Sequence, residues 1–143
     1  MVKRFRVKLE KKGKEYYDVR IFDYHAEIFD YLHKKWPYNL DCDTNAATFA
    51  YDRYKDNILQ PILGDILFHK NGLGAGIVSH EMTHAANYWI DRRVKKYQLG
   101  GMLNKKSKKG YTIWRALEEK HAWTVGYLTS QFYKKYYGIK EVY

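Results

Sequence analysis

Apolar and polar residues alternate along the first part of the chain, and the period then lengthens to that of helices. Residues 2–9 alternate between apolar and basic side chains, and residues 17–21 alternate again after the turn Lys11-Lys12-Gly13-Lys14. Because a period of two is typical of strands with one buried face, the pattern predicts a β-hairpin.

The rest of the chain is predicted to be mainly helical, with two further strands. Ile28, Leu32 and Trp36 recur at the spacing of one helix face, and Pro37 then ends that helix. The elements predicted after the hairpin are a helix over 24–36, strands over 48–51 and 64–69, a helix over 76–97, an exposed loop over 98–110 and a helix over 112–136. With a small sheet early and helices late, the chain is expected to form one α+β domain over residues 1–143.

Composition places the chain among globular proteins. Of its 143 residues, 45% are hydrophobic and 17% are aromatic, so enough apolar surface is present for a core. Cys42 is the only cysteine, which excludes an internal disulfide and fits a reducing compartment. Neither a signal peptide nor a membrane-spanning stretch is visible, so we expect a cytoplasmic protein that is not bound to membranes.

The net charge of +10 favours anionic partners. Acidic peptides or proteins are one such class, and nucleic acid is another. Because the lysines and arginines are scattered along the chain and no nucleic-acid-binding module is recognisable, nucleic acid is the less favoured partner. Nothing in the sequence indicates an oligomeric state.

The segment His80-Glu81-Met82-Thr83-His84 carries the most specific chemistry in the sequence. On a helix, His80 and His84 lie one turn apart on the same face, so both imidazoles can bind one zinc ion at about 2.0–2.1 Å. Glu81 is rotated by about 100° from His80, which places its carboxylate beside the metal, as a general base for water that the metal activates. The neighbouring small apolar residues, Ala85 and Ala86, leave polar histidines in need of a partner.

A hydrolytic zinc site needs three protein ligands and one open position. The extended metzincin pattern requires glycine at position 87 and histidine at position 90. The chain has Asn87 and Ile90 there, so that pattern is excluded.

A glutamate on the last helix is the remaining source of a third ligand, and Glu118 and Glu119 are the candidates. Glu119 shares a helix face with Ala122 and Gly126, whose small size would let the helix come close to the zinc. We therefore favour Glu119, and Glu118 stays open as the alternative.

His80-Glu81-x-x-His84, followed by Glu119-x-x-Ala122-x-x-x-Gly126, resembles the gluzincin branch of the zincin metallopeptidases. The resemblance implies a zincin-like fold, hydrolysis of peptide bonds, and one Zn²⁺ held by His80, His84 and Glu119, with Glu81 as general base. Thermolysin-like members carry an aspartate four residues after the ligand glutamate, which orients a zinc histidine. This chain has tryptophan at that position and is much shorter, so it is more similar to the compact zincin domains of bacterial and phage proteins.

Peptide hydrolysis also needs a hydrogen-bond donor for the tetrahedral oxyanion. Zincins often take it from a tyrosine or a histidine, and Tyr111 and His121 are the candidates here. An extended peptide substrate is expected to pair with the strand 65–69, which its place in the chain suggests as the sheet edge beside the metal helix. The loop 98–110 is expected to form a lid or a basic recognition surface, or simply to be mobile.

Two other classes of function stay open. A zincin-fold module without catalysis would use its basic surface to bind nucleic acid or a protein partner, but a structural zinc has no use for a general base at Glu81. A hydrolase built on Cys42 and a histidine is weaker, because a lone cysteine is more often a small buried residue. The sequence therefore favours a zinc metallopeptidase.

Overall fold

The computed structural model describes residues 2–35, 46–51, 54–55, 58–96 and 108–139, without the side chains of 35, 49, 54, 55, 91–96 and 108–119. The elements in these ranges are β1 (Lys3–Lys8), β2 (Tyr16–Phe22), α1 (His25–Lys35), β3 (Ala46–Ala50), β4 (Tyr54–Lys55), β5 (Ile58–Leu59), β6 (Ile62–His69), α2 (Ala75–Lys96) and α3 (Lys108–Tyr137). The α+β class is confirmed, and no helix in the described ranges is long and apolar enough to cross a membrane.

Within the described residues, four strands form the main sheet in the order β1-β2-β6-β3, and β4 pairs with β5 in a second, two-stranded sheet. β1 and β2 are antiparallel, which confirms the predicted hairpin, β2 and β6 are parallel, and β3 is antiparallel to β6. β6 is buried along nearly its whole length, as expected for a strand that is covered on both faces. The prediction that the strand 65–69 forms the sheet edge is therefore wrong, because that strand is interior and β3 lies outside it.

Helices cover both faces of the sheet. On one face, Ile28 and Leu32 of α1 pack against Phe22 and Leu67. On the other face, α2 and α3 close the larger core, whose helical members include Val78, Met82, Ala85, Trp89, Leu128 and Phe132. Each large apolar side chain that is fully buried in this way contributes about 1.5–3 kcal/mol.

The predicted boundaries are accurate for α2 but less so for the start of α3. α2 begins and ends within one residue of the predicted span, whereas α3 begins at Lys108 and so includes residues 108–110, which were predicted as loop. The remainder of that predicted loop, residues 98–107, and the helix end at Pro37 lie outside the described residues.

α3 runs antiparallel to α2. Near the end of α3, the Lys135 carbonyl accepts a hydrogen bond of 2.5 Å from Lys3 Nζ, and Lys3 pairs with Ile21 at the end of the sheet where α2 begins. Lys120, the first α3 residue whose side chain is described, instead lies over the Trp89 ring at 5.0 Å, in the second half of α2.

Side chains of α3 occupy the outer edge of β1. Gln131 Oε1 accepts a hydrogen bond from the Lys8 backbone N–H at 2.7 Å, and its Nε2 donates to the Lys8 carbonyl at 2.7 Å. Lys135 Nζ donates to the Arg6 carbonyl next along the strand. These contacts replace the pairing of an additional strand and protect this edge of the sheet.

The face of the sheet that carries α1 also buries a carboxylate. Asp65 is fully buried and accepts hydrogen bonds from the hydroxyls of Tyr31, at 2.6 Å, and Tyr51. Burial, together with the hydrogen bond to Asp65, raises the pKa of Tyr51. The network ties β6 to α1 and to the segment that follows β3.

Candidate metal centre

The two histidines of the motif lie on the outward face of α2. His80 is exposed and His84 is half-buried, whereas Met82, between them in the sequence, is fully buried against the sheet. At about 100° per residue, both histidines point roughly 160° away from Met82. Their Nε2 atoms lie 3.1 Å apart. One helical turn thus brings two ring nitrogens to the same point at the surface.

This separation suits two ligands of a single tetrahedral ion. Two zinc–nitrogen bonds of about 2.0–2.1 Å at the tetrahedral angle place the nitrogens about 3.3 Å apart. The same distance also allows one neutral imidazole to donate a hydrogen bond to the other, which would hold the pair together without metal. Within the described residues, no group of three or more metal-binding side chains is present. The described side chains therefore offer two candidate ligands, one fewer than a hydrolytic site needs.

Glu81 is buried on the side of α2 that faces β3. The residue is 6% exposed, and its Oε2 accepts a hydrogen bond of 2.5 Å from Thr48 Oγ1 on β3. The same hydroxyl lies 3.2 Å from the Glu81 carbonyl oxygen. Because a buried carboxylate is costly unless it is paired or hydrogen-bonded, Thr48 stabilises Glu81 in this position.

Thr48 is a site residue that sequence reasoning missed. It lies 33 residues before Glu81, and a single hydroxyl within an apolar strand belongs to no motif. The available signal is weak: Thr48 is the polar residue in the predicted strand 48–51, and a polar side chain that faces a helix needs a partner.

An aromatic ring continues the outward face of the site. Tyr88 follows His84 by one turn, with ring centroids 6.2 Å apart and ring planes 19° from parallel. Apart from their contact with each other, neither imidazole makes a hydrogen bond to any described residue. A carboxylate that orients a zinc histidine, which the sequence also lacks at the position expected by resemblance, is thus not found in this part of the chain.

The two glutamates considered as third ligand belong to α3, but the side chains of Glu118 and Glu119 lie outside the described residues. Lys120 contacts Trp89, which is five residues beyond His84, or about 7.5 Å farther along the axis of α2. No described contact brings this turn of α3 to the histidine pair.

The packing of α3 does not support the reason for preferring Glu119. Ala122 and Gly126 are exposed, and a Cβ atom added to Gly126 would meet no other atom within 4 Å, so these small residues do not serve a close approach to α2. Position 119 precedes the fully buried Leu128 by nine residues and so lies about 180° from it around the helix. Position 118 lies only about 80° from Leu128, so the helical phase favours Glu118.

Of the two candidates for the oxyanion donor, the structure describes the side chain of His121 but not that of Tyr111. His121 is half-buried, and its Nε2 is buried without a hydrogen-bond partner among the described residues. The side chain of Tyr111 and the whole of Cys42 lie outside those residues. Of these two candidates for the oxyanion donor, His121 is therefore the one whose side chain the structure describes.

Comparisons of the chain with protein-family models, with curated protein sequences and with solved structures gave no match.

Proposed function

We propose that the protein is a zinc-dependent peptidase of the zincin type, in which His80 and His84 bind zinc and Glu81 is the general base. One observation carries the proposal: two histidine Nε2 atoms lie 3.1 Å apart, and the neighbouring glutamate is buried and hydrogen-bonded. If the two surface histidines were close together only by chance, the burial of the Glu81 carboxylate beside them would be unexplained. Burial of a charge costs free energy, so its retention here favours a chemical role.

Each residue of the proposed site would have a separate role in peptide hydrolysis. A zinc ion at the histidine pair would polarise the scissile carbonyl and lower the pKa of water to near neutrality. Glu81 would accept the proton of the attacking water and deliver it to the leaving amine. Thr48 would hold the carboxylate in place before the reaction, and His121 or Tyr111 would donate a hydrogen bond to the oxyanion.

We further propose that an extended peptide substrate pairs with β3. This strand carries Thr48 and so borders the general base, and no described strand pairs with its outer side. The opposite edge of the sheet is already occupied by Gln131 and Lys135 of α3. Backbone pairing with β3 would provide affinity for the peptide without a specific side-chain pocket, and the net charge of +10 favours acidic peptides.

The third ligand is proposed to come from α3. Glu119 is favoured by the resemblance to gluzincins, and Glu118 is favoured by the helical phase of the buried face of α3. In either case the first half of α3 must lie against the outward face of α2 when zinc is bound.

Metal analysis combined with two site variants tests the proposal. We expect one zinc per chain in the wild type and in Glu81→Gln, and loss of zinc in His84→Ala. Hydrolysis of a mixed peptide library should be about 10²–10⁴ times slower in Glu81→Gln than in the wild type, the usual contribution of a general base. His33→Ala is a matched control, because His33 is exposed on α1 and should not affect zinc content.

Two results would overturn the proposal at different levels. Full zinc content in His84→Ala would show that the metal site is elsewhere. Stoichiometric zinc without any difference in peptide hydrolysis between the wild type and Glu81→Gln would remove the catalytic role and favour the non-catalytic zincin-fold module.

A further inference from the structure

The side of α3 that borders the β1 edge carries a stripe of aromatic, basic and amide residues. Lys120, Trp123, Tyr127, Gln131 and Lys134 recur every three or four residues and so lie on one side of the helix. Trp123 is 71% exposed, which is unusual for the largest apolar side chain. An exposed side chain of this size makes the stripe a candidate binding surface.

A hollow of about 340 Å³ lies between this stripe and the turn that joins β1 to β2. Its lining includes three aromatic rings, those of Trp89, Trp123 and Tyr127, together with the lysines Lys11 and Lys120. Flat aromatic surfaces beside ammonium groups suit a ligand that has both a planar ring and a negative charge.

Positive charge continues from the hollow along the edge of β1. Lys8 lies beside Gln131, and the Lys3 ammonium contacts the last turns of α3. Burial and the positive charges of Lys8 and Lys134 lower the pKa of Lys135, which places these three lysines near one another. The fold thus brings several lysines that are distant in the sequence to one side of the molecule.

Two glutamates lie at the same end of this surface. Glu10 lines the hollow, and Glu15 accepts a hydrogen bond from Trp89 Nε1 at 3.2 Å. The lysines of the hollow, the stripe and the β1 edge outnumber these two carboxylates among the described residues, so the surface keeps a positive potential.

We propose that this surface binds single-stranded nucleic acid, with a base stacked on Trp123 in the hollow and the phosphate backbone along Lys11, Lys120 and Lys134. Stacking requires bases with free faces, which a single strand presents and a duplex does not. An acidic peptide would match the lysines but would leave the exposed tryptophan without a role. The proposal does not depend on zinc or on peptide hydrolysis.

Fluorescence anisotropy of a labelled oligothymidylate, titrated with the full chain at several salt concentrations, tests the proposal. We expect binding that weakens as salt rises. Trp123→Ala should weaken binding about tenfold, the usual size of one base–aromatic stack, and Trp123→Phe should retain most of it. The matched control is Tyr24→Ala, because Tyr24 is 68% exposed and lies at the start of α1 on the opposite face of the sheet.

Charge variants test the backbone contacts. Lys11→Gln and Lys134→Gln should each reduce the slope of log affinity against log salt by about 0.7, the value for one phosphate contact with a single strand. Lys34→Gln removes an exposed lysine of α1 and should leave the slope unchanged. Glu81→Gln should bind the oligonucleotide as the wild type does, which separates this activity from hydrolysis.

Several outcomes would overturn the proposal. These are an absence of binding at low salt, equal affinity of Trp123→Ala and Tyr24→Ala, and equal affinity for a duplex of the same length. Binding to vesicles of phosphatidylcholine and phosphatidylserine without binding to the oligonucleotide would also overturn it and would identify a lipid surface instead. If Trp123→Ala fails to fold by circular dichroism, unchanged salt slopes in both lysine variants would still refute the proposal.

Discussion

The hydrogen bond between Thr48 and Glu81 allows a direct test of how the candidate site is held. Thr48→Val replaces the hydroxyl with a methyl group on β3, where valine is also a favoured residue, so the strand itself should persist. The bond is 2.5 Å long, and Glu81 is 6% exposed. Water therefore has little access to replace the lost donor.

The expected effect follows from the charge and burial of the acceptor. A hydrogen bond to a charged group contributes about 1.5–3 kcal/mol, and the carboxylate would be left buried without this donor. We expect the free energy of unfolding of Thr48→Val to fall by that amount. Urea denaturation followed by tryptophan fluorescence, in buffer with a metal chelator, measures it, and the slope m should not change.

A control and a double-mutant cycle isolate the role of the carboxylate. Thr124 is 5% exposed and donates to the Lys120 carbonyl of its own helix at 2.7 Å, so Thr124→Val should cost less than about 1 kcal/mol. In a Glu81→Gln background the partner is neutral, and Thr48→Val should cost only about 0.5–1.5 kcal/mol. An equal cost in both backgrounds, or a cost no larger than that of Thr124→Val, would refute the reasoning.

Three other sets of variants test the sheet edge, the half-buried Tyr51 and the third ligand. Gln131→Ala removes both hydrogen bonds to the Lys8 backbone and should lower the free energy of unfolding by about 1–3 kcal/mol in urea denaturation. In the folded state, burial and the hydrogen bond to Asp65 raise the pKa of Tyr51. At alkaline pH the Tyr51 hydroxyl therefore stays protonated in the folded state but loses its proton in the unfolded chain. The contribution of Tyr51 to the free energy of unfolding is therefore fully present below about pH 10 and is lost as the pH rises further. In denaturation curves measured above about pH 10, Tyr51→Phe should lose stability less steeply than the wild type. If the helical phase of α3 decides the third ligand, zinc analysis should show loss of metal from Glu118→Ala and retention in Glu119→Ala.

Each of these tests has a control or an opposite outcome. Gln60→Ala removes a hydrogen bond to a carbonyl only two residues away and should change the free energy of unfolding by less than about 0.5 kcal/mol. If Gln131→Ala has no larger effect than Gln60→Ala, the side chain of Gln131 does not protect the edge of β1. Tyr24 is 68% exposed, and Tyr24→Phe should keep the alkaline fall of the wild type. An equally steep alkaline fall in Tyr51→Phe would contradict the pH argument. Zinc that is lost only from Glu119→Ala would restore the ligand expected from the resemblance.

Local periodicity was sufficient to predict most helices and the first hairpin. The alternation over 2–9 and 17–21 corresponds to β1 and β2, and α2 lies within one residue of its predicted ends. Such elements are encoded by spacing along a few turns or pleats, because each needs only one neighbouring surface to bury its apolar face. The same local rule accounts for the approach of His80 and His84, whose spacing is one helical turn.

Local periodicity does not predict the order of the strands in the sheet. The run from Asp65 to Phe68 lacks alternation, which is the pattern of a strand with two covered faces, but its place in the chain suggested an edge. Strand order depends on pairing between residues far apart in the sequence, and no local pattern reports it.

The sequence by itself thus determined a helix that presents two histidines and an adjacent glutamate. The tertiary structure decided that Thr48 is the partner of Glu81, that the face of α3 in phase with Glu119 points away from the core, and that scattered lysines share one surface with Trp123. The physical reason is the range of the interactions. Helical spacing acts over four residues, whereas the side on which a helix is covered depends on the packing of the whole core.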